Sequence, residues 1–258
     1  MISHKKGSKL KQKTQRDVVN EQFELQKQRE TNSLRKAKLT KEEFQATGVE
    51  LTPKQLELYK GIRNNTLTVC QGPAGTSKTF TACYTSLALL ADKKIDQIIL
   101  TKPIQESGES LGFLPGTIEE KVDPYMKSYF SNFEKILGKG TFEWMKSTEQ
   151  IIVEPLAYMR GTTYDRAIML LDEAQNCTMT QLMLWVTRLG KESKAILMGD
   201  ISQYDIKKRD SRFLDFINLI NGTDGVNNFR FNTEDIVRNK FLIDIVEKYE
   251  KWKFENNQ

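Results

Sequence analysis

The sequence predicts an α/β fold in which a mostly parallel sheet carries helices on both faces. Short apolar runs rich in β-branched residues alternate with longer helical segments along the chain. One of these runs, 167–171, contains no polar residue, which is typical of a strand buried on both faces of a parallel sheet. A glycine-rich turn, 72–79, also joins a predicted strand directly to a predicted helix.

The apolar runs and the breaks between them place the individual elements. Thr52 and Pro53 suit the cap and the first position of a helix, because proline at that position loses no helical hydrogen bond. Strands are predicted at 66–70, 97–101, 151–154, 168–171, 195–198 and 228–232. Further helices are predicted at 80–90, 118–137, 179–189, 212–220 and 234–252.

The N-terminal part differs from the rest in composition. Residues 1–48 are rich in Lys, Gln and Glu, and they predict a charged, partly helical extension ahead of one domain at 49–258. Such a basic tail suits RNA, DNA or another polyanion, although a solvated, disordered tail fits the composition equally well. The clustered cations are Lys5, Lys6, Lys9, Lys11, Lys13 and Arg16.

The turn after the first strand has the composition of a phosphate-binding loop. Successive backbone N–H groups in such a turn, together with the start of the next helix, form a site for an anion. Lys78 would reach the β- and γ-phosphates of a nucleoside triphosphate, and the Thr79 hydroxyl would bind Mg²⁺. The candidate cofactor-binding residues of the loop are Gly72, Pro73, Ala74, Gly75, Thr76, Ser77, Lys78 and Thr79.

One position departs from the usual G-x-x-x-x-G-K-[ST] pattern, because Ser77 stands where the second glycine is expected. If the backbone there needs a positive φ, a serine costs on the order of 1 kcal/mol relative to glycine. The other loop residues match the pattern, so we expect the phosphate site to be retained.

An acidic pair follows the apolar run at 167–171. Asp172 would emerge at the carboxyl edge of the sheet, where ligands bind in open α/β folds, and would provide the Mg²⁺ carboxylate. Glu173 would orient and deprotonate an attacking water. Alternatively, both are first-turn acids of the following helix. We expect the ends of the two strands to be adjacent, so that Lys78 and the acidic pair share one cation.

Several classes of protein are excluded by composition. The single histidine, His4, rules out a multi-histidine metal site and argues against a histidine-based catalytic triad. Three widely spaced cysteines favour a reducing compartment over a disulfide framework. No apolar run approaches the length of a membrane span, and the charged start does not resemble a secretory signal. We therefore expect a cytoplasmic protein with no membrane association.

A series of sequence blocks within residues 50–250 carries a family resemblance. These blocks are Gly72–Thr79, Lys102-Pro103 with Leu111–Gly116, Lys121–Tyr125, Pro155–Gly161, Leu171–Asn176, Thr187-Arg188, Gly199-Asp200 with Gln203, and Asp235–Arg238. In them the chain closely resembles the PhoH-like proteins, which are P-loop ATPases related to the first core domain of superfamily 1 helicases. The resemblance implies a single RecA-like P-loop NTPase domain. Lys102 departs from it, since arginine is usual there, and so does Asn239, where histidine is usual.

The resemblance also implies roles outside the loop and the acidic pair. Gln203 would sense the γ-phosphate or the attacking water. An arginine from a neighbouring subunit would stabilise the transferring phosphoryl group, which implies a homo-oligomer such as a ring. The candidates are Arg160, Arg188, Arg212 and Arg238, of which Arg160 and Arg238 are favoured, and each could instead form a structural ion pair. From its residue type and position, Gln55 could contact an adenine edge or be an ordinary exposed helix residue.

Together these residues predict a Mg²⁺-dependent protein that binds and hydrolyses ATP, coupled to RNA or single-stranded DNA. The alternative is a nucleotide-dependent oligomeric interaction module with little or no turnover, which the departure at Ser77 keeps open. Neither interpretation requires helicase activity, because unwinding usually needs a second domain that moves against the first.

Overall fold

A single six-stranded parallel sheet organises the protein. The computed structural model describes residues 38–103, 118–201 and 211–237, together with positions 241, 244, 245, 248, 249, 251 and 252. The strand order is β3-β2-β4-β5-β1-β6, and every neighbouring pair is parallel. All carboxyl ends therefore lie at one edge. The strands are β1 Leu67–Gln71, β2 Gln97–Thr101, β3 Ile151–Val153, β4 Ala167–Leu171, β5 Lys194–Gly199 and β6 Val226–Arg230.

Helices connect the strands and precede the first of them. In the described residues they are α1 Lys41–Gln45, α2 Pro53–Asn64, α3 Lys78–Ala91, α4 Ile118–Leu137, α5 Lys139–Ser147, α6 Met179–Val186 and α7 Phe213–Ile220. Single turns of 3₁₀ helix lie at Leu156–Tyr158, Ala174–Asn176 and Thr233–Asp235. None of the helices in the described parts is both long and apolar enough to cross a membrane.

Three helices begin with the same capping arrangement. In each, a threonine hydroxyl accepts the backbone N–H three residues later, and the Glu or Gln at that later position accepts the threonine N–H. This reciprocal capping satisfies two backbone donors that the helix itself cannot use. The capping threonines are Thr40, Thr52 and Thr178.

Alternate residues along each central strand enter two separate cores. In β4, Ile168 and Leu170 pack with α1–α5, whereas Met169 and Leu171 pack with α6 and α7. Side chains of successive strand residues point to opposite faces, so the two clusters lie on opposite faces of the sheet. This arrangement confirms the predicted parallel sheet with helices on both faces.

Residues 38–48 pack onto the first of these cores. Leu39 and Phe44 are buried, and the Phe44 ring lies 4.9 Å from that of Tyr84 on α3. The Leu39 N–H also donates to Gln150 Oε1 at 3.1 Å. Part of the segment predicted as an extension therefore contributes side chains to the core, while residues 1–37 lie outside the described residues.

Several element boundaries differ from the predictions by a few residues. The helix predicted at 179–189 ends at Val186, because Leu189 instead forms a parallel β-bridge with Tyr164. The helix predicted at 80–90 begins two residues earlier, at Lys78. The final strand runs from Val226 to Arg230, because it pairs in register with all of β1.

Candidate functional site

A cavity of about 780 Å³ lies at the carboxyl edge of the sheet. Its walls come from the turn after β1, the ends of β4 and β5, the start of α2 and one face of α4. Small-molecule sites typically enclose about 300–1,000 Å³ and favour this edge of parallel sheets. The cavity is therefore large enough for a nucleotide.

The loop after β1 is held in a tight curve. A Cβ added at Gly72 would lie only 2.7 Å from Phe231 Cβ, so a side chain cannot be accommodated there. The Lys78 ammonium donates to the carbonyls of Gly72 at 2.6 Å and Pro73 at 2.9 Å. The buried Thr76 hydroxyl also donates to Pro73 O, at 2.9 Å. These contacts curve the loop around the Lys78 side chain.

Helix α3 begins at this loop without a side-chain cap. Its N-cap, Ser77, has a left-handed conformation with φ 64°, and its side chain makes no capping hydrogen bond. At a positive φ of this kind, serine destabilises the folded protein by on the order of 1 kcal/mol relative to glycine. The first N–H groups of an α-helix have no partner within the helix, so those of α3 can bind an anion.

Thr79 and Asp172 meet inside the cavity. The Thr79 hydroxyl donates to Asp172 Oδ2 at 3.2 Å, and the Glu173 N–H donates to Asp172 Oδ1 at 3.1 Å. Asp172 is only 5% exposed, and these donors stabilise its buried oxygens. The structure thus brings the predicted loop and the predicted acidic pair together.

The expectation that the two strand ends are adjacent was wrong. β5 lies between β1 and β4. The loop after β1 contacts the end of β5, where the Gly72 N–H donates to Gly199 O at 3.2 Å. The first turn of α3 therefore reaches Asp172 across the end of the intervening strand, and direct strand pairing is not needed.

Glu173 has an unusual backbone and a perturbed acidity. Its φ is 57°, in the left-handed region, and its side chain lines the cavity. Burial is the main reason that its pKa is raised, followed by the neighbouring charge of Asp172. A hydrogen bond from Gln175 and the charges of Lys102 and Lys78 oppose that rise. A raised pKa suits a group that accepts a proton near neutral pH.

Lys102 stands beside both acids at the end of β2. Its ammonium lies 3.7 Å from Asp172 Oδ2 and 3.8 Å from Glu173 Oε1, and only 15% of its side chain is exposed. It also donates to Ser128 Oγ at 3.2 Å. The lysine therefore acts here as a point charge between two carboxylates, where an arginine would offer a planar, two-donor contact.

One wall of the cavity was not predicted. Ser128, Asn132 and Lys135 follow one another at helical spacing along α4 and line the cavity together. The Lys135 ammonium lies 5.4 Å from the centre of the Phe80 ring. The sequence shows these residues as a polar stripe at i, i+4 and i+7. Any solvent-exposed helix face shows the same pattern, so the stripe did not identify a cavity wall.

Gln55, at the start of α2, also lines the cavity. It is 5% exposed, so the interpretation of Gln55 as an exposed helix residue was wrong. Its Oε1 accepts the Thr52 N–H at 2.9 Å, and this reciprocal cap fixes the orientation of the amide at the cavity. The burial follows from the capping role, which draws the side chain back over the helix start.

Of the remaining predicted site residues, the structure describes Arg160 but not Gln203 or Arg238. Arg160 is exposed and is not part of the nucleotide-sized cavity; it lines a separate groove with Arg188 and Met183. Gln203 and Arg238 lie outside the described residues, as does the segment 111–116. Among the alternative arginines, Arg188 donates to Thr162 O, and Arg212 pairs with Asp215.

The fold and the site together define a class of protein. A parallel sheet whose first strand leads through this loop into an uncapped helix, facing a buried carboxylate, is that of a nucleotide-binding protein of the P-loop ATPase type. The model of the family described as PhoH-like protein matches residues 49–250. The chain belongs to the PhoH-like family, as its sequence blocks predicted.

Curated relatives agree with this assignment. A PhoH-like protein of Bacillus subtilis is 41% identical over 76% of this chain, and one of Synechocystis is 37% identical over 87%. The protein PhoH of Escherichia coli is 36% identical over 71% of this chain. The matches span 62%, 69% and 53% of those three relatives respectively, so the chain corresponds to only part of each.

A solved structure supports the fold alone. The large terminase of a thermophilic bacteriophage superimposes with a TM-score of 0.51 at 10% identity. The match covers 78% of this chain and 49% of the terminase chain.

Proposed function

We propose that this protein binds ATP with Mg²⁺ in the cavity at the carboxyl edge and hydrolyses it. The observation that carries this proposal is the 3.2 Å contact between Thr79 Oγ1 and Asp172 Oδ2 beside the uncapped start of α3. It places a hydroxyl, a carboxylate, the Lys78 ammonium and unused backbone amides around one cavity. These are the groups that bind a triphosphate and its cation in P-loop proteins.

Thr79 and Asp172 are the residues that would hold Mg²⁺. Both offer oxygen, which this cation prefers, and Mg²⁺ usually keeps waters and phosphate oxygens as its other ligands. No group of three or more His, Cys, Asp or Glu side chains in the described parts is placed to hold a metal. This sparse set fits a cation that arrives with a nucleotide, where it would neutralise charge on the phosphate oxygens.

Glu173 is the proposed general base. It lines the cavity next to Asp172, and its raised pKa increases its affinity for the proton of an attacking water. Gln55 is the proposed contact to adenine, because its amide is fixed at the cavity wall by Thr52. Gln203 remains a proposed sensor of the γ-phosphate on the basis of its position in the sequence.

Coupling to RNA or single-stranded DNA is proposed from the family resemblance and from the basic residues at 5–16. An oligomer, such as a ring, is proposed because Arg160 lies outside the cavity of its own chain and is exposed. We propose that Arg160 contacts a neighbouring subunit's nucleotide, and Arg238 stays a candidate for the same role from the sequence alone. A cytoplasmic location is supported by the free thiols of Cys70, Cys83 and Cys177.

A second candidate function is a nucleotide-dependent interaction module with little or no turnover. The observation that favours it is Ser77, whose side chain occupies a left-handed loop position that glycine usually fills. Such a change can preserve binding while altering the loop geometry that hydrolysis requires.

Phosphate release from Mg²⁺-ATP, measured with and without RNA, tests the proposal. We expect turnover by the unaltered protein, and a loss of about 10²–10⁴-fold in Glu173→Gln with ATP binding retained. Glu192→Gln is a matched control, because Glu192 lies just before β5 at the opposite edge of the sheet. Binding without phosphate release by the unaltered protein would support the interaction module instead.

A further inference from the structure

A buried glutamine joins the ends of two strands beneath the cavity. Gln175 is 2% exposed and lies in the 3₁₀ turn that follows the acidic pair. Its Nε2 donates to Glu173 Oε2 at 2.6 Å, and its Oε1 accepts the Asp200 N–H at 3.1 Å. One side-chain amide therefore connects the carboxylate after β4 to the backbone at the end of β5.

The surroundings leave room for this bridge. A Cβ added at Gly199 would lie 2.9 Å from Gln175 Oε1 and 2.6 Å from Phe213 Cε1. Any larger residue at the end of β5 would therefore displace the glutamine or the phenylalanine. Glycine at position 199 is thus explained by the space that the bridge occupies.

The two carboxylate oxygens of Glu173 have different neighbours. Oε2 accepts a short hydrogen bond from Gln175, whereas Oε1 lies 3.8 Å from the Lys102 ammonium. An amide neither gains nor loses a proton at ordinary pH, so Gln175 can restrain the carboxylate without competing for the proton of a water. The contact restrains the rotation of the carboxylate through Oε2 and leaves Oε1 beside Lys102.

We propose that Gln175 is a positioning residue, which orients the Glu173 carboxylate and ties it to the end of β5. This inference rests on the proposed ATP hydrolysis. Gly199 and Asp200 line the same cavity, so the bridge fixes the base relative to a second wall of the site. Gln175 itself is not among the residues that line the cavity, and it acts only through Glu173.

Gln175→Met tests the inference, because methionine keeps the length of the side chain and removes both hydrogen bonds. We expect kcat to fall roughly 10- to 100-fold, the usual effect of losing a hydrogen bond to a charged group. The affinity for Mg²⁺-ATP should stay within about threefold, since Gln175 does not reach the cavity.

Gln150→Met is the matched control. Gln150 is also a buried glutamine, at 3% exposed, whose amide accepts from Leu39 N–H at 3.1 Å and donates to Thr148 Oγ1 at 2.8 Å. It lies just before β3, at the amino edge of the sheet, away from the cavity. Both variants should lose stability, but only Gln175→Met should change kcat.

A second variant tests the inference if Gln175→Met does not fold. Gln175→Glu keeps the volume and an acceptor for the Asp200 N–H, but places a carboxylate beside Glu173. Repulsion between the two carboxylates should turn Glu173 away, so kcat should fall at least as far as in Gln175→Met. Unchanged kcat in a folded variant would overturn the inference.

Failure of the proposed function would be recognised separately. If the unaltered protein releases no phosphate, crystal structures of the unaltered protein and of Gln175→Met still show how the Glu173 carboxylate is oriented. A carboxylate that turns away from its present position in Gln175→Met, but not in Gln150→Met, would then support the positioning role. An unchanged carboxylate would overturn it.

Discussion

Helices α3 and α6 begin in different ways, and the difference distinguishes a ligand site from a structural helix start. Thr178 and Gln181 cap α6 reciprocally, so two backbone donors at this end of the helix are satisfied within the chain. α3 begins at the left-handed Ser77 with no side-chain cap, and it faces the buried Asp172 and Glu173. The two donors that the cap of α6 satisfies have no such partner at the start of α3, where they can bind a ligand.

A missing cap alone does not identify such a site. α5 and α7 also begin without a side-chain cap, yet neither start lines the cavity. A left-handed backbone is not sufficient either, because Arg166 has φ 47° at the opposite edge and pairs there with Asp96. What distinguishes α3 is the convergence of Lys78, a hydroxyl and two acids on its first turn.

The largest effect should come from Lys78→Ala, which removes the ammonium at the uncapped helix start. Turnover should fall by about 10²–10³-fold or more, because a positioned charge on the phosphates is lost. The fold should persist, since Lys78 donates only to loop carbonyls. Lys191→Ala, in the exposed loop before β5, should leave phosphate release unchanged; equal activity of the two variants would contradict the comparison.

The pH dependence of turnover should reveal the acidic pair that faces α3. Glu173 accepts a proton only when ionised, and its raised pKa means that protonation begins at a higher pH than for an ordinary glutamate. kcat should therefore fall about tenfold per pH unit on the acid side, with a midpoint above the ordinary pKa of a glutamate. A flat kcat profile down to the pH at which an ordinary glutamate becomes protonated, with the fold intact by circular dichroism, would argue against this role.

Thr178→Ala, at the start of α6, should change the stability of the protein and leave nucleotide binding unchanged. Loss of this cap should lower the free energy of unfolding by about 1 kcal/mol. The affinity for Mg²⁺-ATP should not change, because the α6 start does not line the cavity. Denaturant unfolding and nucleotide titration measure the two quantities, and a loss of affinity would show that α6 also serves the ligand.

The smallest effect is expected from Ser77→Gly, which removes the left-handed serine and restores the usual loop glycine. Relief of the strained conformation should be partly offset by the greater freedom of glycine in the unfolded chain. The net stabilisation should be a few tenths of a kcal/mol, up to about 1 kcal/mol. Urea denaturation measures it, and a clear destabilisation would mean that the Ser77 side chain contributes an interaction of its own.

The loop and the acidic pair could be predicted because each is contiguous in sequence. Lys78 follows its loop directly, and Asp172 follows an apolar run, so local pattern and chemistry were sufficient. The order of the strands could not be predicted from local sequence. β5 lies between β1 and β4 because of how the connections between the strands pack against the sheet. For the same reason, the link from Gln175 to Asp200 was not visible, since it joins residues 25 positions apart.

Burial was also only partly predictable. Gln55 is a polar residue near the start of a helix, so the sequence allowed it to be exposed. Its burial is explained by the reciprocal cap with Thr52. Phe44 lies in a stretch rich in charge, yet its ring packs against Tyr84. In both cases a tertiary contact or a local cap outweighs the average polarity of the segment.

The central claim is that Thr79 and Asp172 hold one cation together with the triphosphate at the start of α3. A crystal structure with Mg²⁺ and a non-hydrolysable ATP analogue tests it most directly. We predict phosphates on Lys78 and the first amides of α3, with the cation contacting Thr79 Oγ1 and reaching Asp172 directly or through water. Phosphates bound elsewhere, or a cation remote from both residues, would contradict the claim.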